Sequence, residues 1–181
     1  MSTALLLVDI QNDYFPGGRM TLVGMDAATA AAAVLLDRFR NSGLPVIHVR
    51  HESLQPGATF FLPETAGAAI SDKVLPISGE PVITKHFPNS FRDTDLLARL
   101  RAAAVSRVVI CGAMSHMCID ATARAAADHG FSCTVASDAC ATRDLQFEKL
   151  TVPAAQVHAA FMAALAAAYG RAVPAGKISV G

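Results

Sequence analysis

The chain has 181 residues, of which 52% are hydrophobic and 17% charged, and its 15 basic residues balance its 15 acidic ones. This length and composition predict one folded domain over residues 1–181 and exclude a disordered chain. Because the charges cancel without a basic patch, neither nucleic acid nor an anionic membrane is expected as a partner. No uninterrupted apolar stretch reaches the roughly 20 residues of a transmembrane helix, and no signal peptide is evident.

The four cysteines form no C-x-x-C pair. Their spacing does not match the ligand sets of structural zinc sites, so no zinc site is expected. With no disulfide framework to suggest secretion, the sequence predicts a reduced, cytoplasmic protein.

Short apolar runs alternate with helical patterns along the chain. The first run, Thr3–Asp9, ends in a charge, as expected of a central parallel strand buried on both faces. Further strands are predicted at Leu44–Arg50, Pro81–Lys85, Arg107–Cys111, Phe131–Ala136 and, at the sheet edge, Arg171–Val173. Helices are predicted at Asp26–Arg40, from Asp93 or Thr94 to Arg101, at His116–Asp128 and at Pro153–Tyr169. This alternation predicts a three-layer α/β/α, Rossmann-like fold with a mostly parallel sheet of about six strands.

The periodic signals weaken between His51 and Ile77, which predicts a long excursion over the surface. Long loops of this kind in compact domains are often functional, frequently as lids. Phe60 and Phe61 are candidates for an apolar lid over a ligand. Packing of both rings on the sheet edge is an equally good interpretation, and the sequence does not decide between the two.

A cysteine follows the fourth predicted strand at a position where chemistry is plausible. Gly112 interrupts the apolar run, and Ser115 lies where the N-cap of the next helix is expected. Cys118 then falls in the first turn, where unpaired N–H groups and the helix dipole favour a thiolate. Such a cysteine can act as a nucleophile beside an oxyanion site, but a buried thiol that only fills space explains the pattern equally well.

Two charged residues end other strands at the same edge of the predicted sheet. Asp9 follows the first strand and Lys85 ends the third, so both are expected near Cys118, outside the carboxyl ends of the parallel strands. A charge at the end of a doubly buried strand must be paired or used. An acid, an ammonium and a thiol are together the parts of a nucleophilic site.

Other sites common in this fold class are poorly supported. No G-x-G-x-x-G or Walker A loop follows the first strand, which argues against a nucleotide cofactor. A metal site on His48, His51 and His86 is conceivable, but no H-E-x-x-H or H-x-x-E-H pattern supports it.

Three ordered motifs identify the chain as resembling the isochorismatase-like cysteine hydrolases. They are Leu7-Val-Asp-Ile-Gln-Asn-Asp-Tyr14, Lys85 followed by Pro88-Asn-Ser-Phe91, and Cys111-Gly-Ala-Met-Ser-His-Met-Cys-Ile119. The resemblance spans nearly the whole chain, and the block Ser137–Thr142 adds to it.

The resemblance implies a role for each matching residue. Asp9 corresponds to the general base, Lys85 to the catalytic lysine and Cys118 to the nucleophile. A non-proline cis peptide is implied between Ala113 and Met114, with the N–H groups of Met114 and Cys118 as the oxyanion hole. A homo-oligomer, dimer or tetramer, is implied as well, and no cofactor.

Two departures from family patterns narrow the expected activity. Where metal-binding nicotinamidases of the family carry Asp-x-His, this chain has His51 and Ser53, which argues against both a metal and nicotinamidase activity. Cys118, which true isochorismatases lack, favours hydrolysis of an amide or carbamoyl C–N bond in a small molecule. Tyr14 and Phe87 are predicted to contact that substrate. A vinyl ether hydrolase and a non-catalytic, thiol-containing binding domain remain as alternatives.

Overall fold

The computed structural model of the chain describes residues 2–180 and contains strands and helices in the predicted alternation. Its strands are β1 (Ser2–Val8), β2 (Val46–His51), β3 (Val82–Lys85), β4 (Val105–Ala113), β5 (Ser132–Ala141), β6 (Leu145–Phe147), β7 (Leu150–Val152) and β8 (Arg171–Val173). Its α-helices are α1 (Met25–Asn41), α2 (Leu96–Ala102), α3 (Asp120–Asp128) and α4 (Ala154–Ala168). A π-helical turn, Ser115–Ile119, precedes α3.

Six of the strands form one all-parallel sheet in the order β3-β2-β1-β4-β5-β8. The first strand lies in the middle, and the chain moves outward from it on both sides. This arrangement confirms the predicted three-layer fold and the six strands. No helix in residues 2–180 is long and apolar enough to cross a membrane.

Alternate residues of β1 contribute to two separate hydrophobic cores. Leu5 and Leu7 pack with α1 on one face of the sheet. Leu6 and Val8 pack on the opposite face, with α2, α3 and α4. A strand buried on both faces needs this continuous apolar run, since each successive side chain enters a different layer.

The long excursion after β2 has only short turns of 3-10 helix, at Ala66–Ala68 and Asp72–Val74. It is tied to the loop after β1 by the buried carboxylate of Asp13, which accepts a bond of 2.7 Å from the Phe61 N–H. Phe61 is 1% exposed and packs on Tyr14, with ring centroids 4.6 Å apart. The excursion is therefore packed over the sheet edge at this point.

The second half of the chain differs from the sequence prediction in two places. β5 runs on through Ala141, whereas the predicted strand ends at Ala136. A register shift in β4 between Ile110 and Gly112 lets Cys140 and Ala141 rejoin the ladder. The antiparallel hairpin of β6 and β7 was not predicted, because each strand has three residues and no clear alternation.

Gly112 does not end β4 but allows it to approach β1. Its φ is +123°, and a Cβ at this position would lie 1.9 Å from the Val8 carbonyl oxygen. No side chain fits there, and the backbone conformation itself disfavours one. Gly112 therefore keeps the carboxyl ends of β1 and β4 together.

We expect Gly112→Ala to lower the free energy of unfolding by at least about 2 kcal/mol, because backbone strain and overpacking add. Gly176→Ala is the matched control, since Gly176 has ordinary φ and open space around its Cα. That variant is expected within about 1 kcal/mol of the wild type. Urea denaturation measures both, and equal stability of the two variants would contradict this role for Gly112.

Candidate active site

The carboxyl edge of the sheet brings the three predicted residues together. Asp9 follows β1, Lys85 is the last residue of β3, and Cys118 lies in the π-helical turn after β4. Val8 is in register with Gly112 of the neighbouring β4. The three side chains are thus delivered by separate strands to one point.

The Lys85 ammonium is the centre of this cluster. Its Nζ lies 2.7 Å from Asp9 Oδ2, 3.3 Å from Cys118 Sγ and 3.1 Å from His51 Nδ1. The side chains of Lys85 and Asp9 are both fully buried. An ammonium has three donors and no acceptor, so these contacts use its whole hydrogen-bonding capacity.

The neighbours of Lys85 stabilise its protonated, positively charged form. Burial lowers the pKa of Lys85, but the Asp9 carboxylate and Cys118 outweigh it and raise this pKa above its ordinary value. A buried ion pair of this kind depends on both partners, because removing one leaves an uncompensated charge away from water.

Asp9, the residue after β1, has an unusual backbone conformation and one carboxylate oxygen without a partner in the part of the chain that the structure describes. Its φ is +53°, in the left-handed region that non-glycine residues rarely occupy. Its Oδ2 accepts from Lys85, whereas Oδ1 is buried and has no hydrogen-bond partner among residues 2–180. One carboxylate oxygen is therefore left to take a proton.

The carbonyl oxygen of Met114 accepts two backbone hydrogen bonds within the turn that carries Cys118. This oxygen accepts the N–H groups of Met117 at 3.0 Å and Ile119 at 3.2 Å, so the two bonds bypass Cys118. The peptide bond between Ala113 and Met114 is cis.

Ser115 does not cap this turn, contrary to the sequence prediction. Its hydroxyl contacts His158 Nδ1 at 2.9 Å and donates to the Ala141 carbonyl at 3.3 Å. These contacts fasten the cysteine turn to β5 and α4. Met114, which lacks a capping side chain, occupies the N-cap position.

The position of Cys118 in the sequence favours a thiolate, but its surroundings in the structure favour the neutral thiol. Burial raises the pKa of Cys118 and the Asp9 carboxylate raises it further, while Lys85 opposes both. The net direction is upward because the thiol is only 5% exposed. This direction favours the protonated thiol over the thiolate in the resting site.

His51 joins the cluster from β2, where it is in register with Lys85. Burial and the charge of Lys85 lower the pKa of His51 to about 4, so the ring is neutral near pH 7. From the sequence alone, His51 is a candidate only as a metal ligand. Its pairing with Lys85 was not visible there, because strand register cannot be read from a single run of residues.

A cavity of about 290 Å³ opens onto Cys118. Tyr14, predicted to contact substrate, lines it together with His51, Phe60 and Phe61. Met20, Met117 and Arg143 also line it, and no sequence pattern marks these three residues as candidates.

The prediction for Phe87 is not supported by this geometry. Phe87 does not line the cavity, although its neighbours His86 and Pro88 do. Its ring instead packs under the guanidinium of Arg92, 3.5 Å from the ring centroid. The chain turns at this loop, and successive side chains point in different directions.

The three histidines considered for a metal lie in unrelated contacts. His48 bonds Glu80, His51 bonds Lys85, and His86 Nδ1 lies 2.9 Å from the carbonyl oxygen of Glu52. Across residues 2–180 there is no group of three or more His, Cys, Asp or Glu side chains able to hold a metal ion.

Comparison with known proteins gives one consistent result. The family model of the isochorismatase domain matches residues 3–169. The isochorismatase family protein YddQ of Bacillus subtilis is 54% identical over 169 residues, which cover 93% of this chain and 94% of that protein. The maleamate amidohydrolase of Pseudomonas putida is 30% identical over 77% of this chain and 72% of its own length.

A solved structure extends this similarity to three dimensions. The crystal structure of a protein assigned as an isochorismatase hydrolase from Oleispira antarctica superposes with a TM-score of 0.94 at 55% identity, covering 97% of this chain and 95% of that one. With the family model matching most of its length, the chain belongs to the isochorismatase family of hydrolases.

Proposed function

We propose that this chain is a cysteine-dependent amidohydrolase that cleaves an amide or carbamoyl C–N bond in a small molecule. The observation that carries the proposal is the buried Lys85 ammonium, which bonds both the Asp9 carboxylate and the sulfur of Cys118, and Cys118 lines a cavity. A carboxylate, an ammonium and a thiol in mutual contact supply a base, an electrostatic stabiliser and a nucleophile.

The first half of the reaction forms a thioester. The unpartnered Oδ1 of Asp9 takes the thiol proton of Cys118 as the sulfur attacks the substrate carbonyl carbon. The N–H groups of Met114 and Cys118 then hold the oxyanion. As the C–N bond breaks, protonated Asp9 gives its proton to the departing nitrogen, which leaves as ammonia or an amine.

The second half restores the enzyme. Water attacks the thioester carbon while Asp9 accepts one of the protons of that water. The C–S bond breaks, the proton passes to the sulfur of Cys118, and a carboxylic or carbamic acid is released. Lys85 keeps its proton throughout, because the negative charge only moves within the site, from Asp9 through the thiolate to the oxyanion and back, and the Asp9 carboxylate and Cys118 raise the pKa of Lys85 in the resting site.

The raised pKa of Cys118 fits this sequence of steps. A thiol that keeps its proton until substrate is bound reacts slowly with unrelated electrophiles. Proton transfer then takes place inside a cavity from which the bound substrate displaces water, and electrostatic interactions there are strong.

The named activity of one relative supports the bond type. Maleamate amidohydrolase, by its name, cleaves an amide of a small molecule, and 77% of this chain aligns with it. The cavity of about 290 Å³ lies at the lower end of ligand pocket volumes and suits a small substrate. The cytoplasmic location and the homo-oligomeric state remain predictions.

We expect the wild-type chain to release ammonia or an amine from at least one member of a panel of small amides and carbamoyl compounds. Cys118→Ala should abolish this release, with a loss of at least about 1,000-fold in kcat, since the nucleophile is removed. Cys133→Ala, which removes a buried thiol elsewhere in the core, is the control and should retain activity.

Full activity of Cys118→Ala on any of these amides would contradict the nucleophile. Cleavage of a vinyl ether without need for Cys118 would support the ether hydrolase instead. Absence of turnover on the whole panel, combined with tight binding of a member, would favour a binding domain.

Asp9→Asn separates the two effects of this carboxylate. Turnover should fall nearly as far as in Cys118→Ala, because the base is lost. The thiol should nevertheless titrate at lower pH, since the charge of Asp9 raises the pKa of Cys118. Iodoacetamide alkylation of Cys118, followed by mass spectrometry across pH 6–10, measures this shift.

Asp26→Asn is the matched control for this alkylation series, because Asp26 is exposed and pairs with Lys73 on the surface. Its alkylation profile should overlay that of the wild type. A profile for Asp9→Asn that is unchanged, or displaced to higher pH, would show that Asp9 does not act on the thiol as the structure indicates.

A further inference from the structure

We propose that His51 contacts the substrate directly, donating a hydrogen bond from Nε2 to an oxygen of the ligand, and that Lys85 fixes the tautomer this requires. The inference rests on the proposed amidohydrolase function and adds to it a specificity-determining residue and a substrate class.

The backbone of His51 is held on both sides by one buried side chain. Gln11 Oε1 accepts the His51 N–H at 2.7 Å, and Gln11 Nε2 donates to the His51 carbonyl at 2.9 Å. The same Nε2 also donates to the Ala68 carbonyl at 2.8 Å, which ties in the excursion after β2. A ring mounted on a backbone fixed in this way has little freedom to shift.

The tautomer follows from the chemistry of Lys85. An ammonium can only donate, so His51 Nδ1, 3.1 Å from Lys85 Nζ, must be the acceptor. In a neutral imidazole the proton then lies on Nε2. The ring stays neutral because burial, the positive charge of Lys85 and the nearby His86 all lower the pKa of His51. The charge of Asp9 raises this pKa, but its effect is smaller than that of burial or of Lys85.

The protonated nitrogen is the part of the ring that a ligand can reach. His51 lines the cavity with Cys118, while its Nδ1 edge is turned to the buried Lys85. The Phe61 ring lies to one side, with centroids 6.1 Å apart. The edge that carries Nε2 is therefore the one open to the cavity.

A neutral donor at this point selects for an acceptor on the substrate. The ligand it suits is an amide that carries a second oxygen acceptor, a carbonyl or carboxylate, within reach of the scissile bond. An analogue that lacks this oxygen leaves the donor unpaired once water is excluded, and a site built to bond a substrate group rejects such analogues strongly.

Two conservative variants separate this role from a structural one. In His51→Asn the amide oxygen can replace Nδ1 as the partner of Lys85, but nothing reaches the position of Nε2. In His51→Gln the longer side chain can place an amide N–H near that position. Both are measured on the best substrate of the amide panel, with thermal unfolding as the test of folding.

We expect His51→Asn to lose about ten- to a hundredfold in kcat/KM, mainly through KM, and His51→Gln to lose less than about tenfold. On an analogue without the second oxygen, the loss in His51→Asn should be at least about fivefold smaller than on the parent substrate. Two results would overturn the proposal: a kcat/KM of His51→Asn within about twofold of the wild-type value, or a kcat/KM of His51→Gln no higher than that of His51→Asn.

These measurements distinguish failure of the role proposed for His51 from failure of the proposed amidohydrolase function. If the wild type hydrolyses amides and needs Cys118, but the His51 variants behave like the wild type, only the role of His51 fails. If no amide is hydrolysed, the proposed function fails, and the role of His51 that rests on it fails with it. If His51→Asn loses activity equally on both substrates, His51 does not contact the second oxygen and the proposal is overturned.

Discussion

One buried ammonium joins the other three side chains of the site by direct contact. Lys85 lies away from water, where a charge is stable only with partners, and its three donors are taken by Asp9, Cys118 and His51. The Asp9 carboxylate, 2.7 Å from Lys85 Nζ, balances this charge. His51 must be neutral to accept from it, and this fixes which ring nitrogen carries the remaining proton.

The parallel sheet brings the four side chains of this cluster together. The strand order β3-β2-β1-β4 places the ends of four neighbouring strands along a single edge, and each contributes one member. Gly112 allows β4 to lie against the Val8 carbonyl. Gln11 and Asp13 then tie the long excursion to the same edge.

Much of this architecture could be predicted from the sequence. The apolar runs ending in Asp9 and Lys85 indicated buried parallel strands, and the alternation with helices indicated the three-layer fold, which the structure confirms. Because parallel strands end at a common edge, the convergence of Asp9, Lys85 and Cys118 followed from the topology. The motifs around them indicated the family, which the comparisons confirm.

What the sequence could not supply depends on directions and distances. The turn geometry decides that Phe87 packs on Arg92 and that Ser115 contacts His158 rather than capping a helix. The pKa of Cys118 depends on burial and on the nearby Asp9, neither of which has a linear signature. His51 became a partner of Lys85 only through the register of β2 and β3.

The central claim is that Cys118 carries the substrate acyl group during turnover. The most direct measurement is rapid acid quenching of the wild-type chain with a hydrolysed amide, followed by peptide mass spectrometry. The account predicts an acyl adduct on the peptide that contains Cys118, which appears with substrate and disappears as it is consumed. Rapid turnover with no adduct at any quench time, and unchanged turnover in Cys118→Ala, would contradict it.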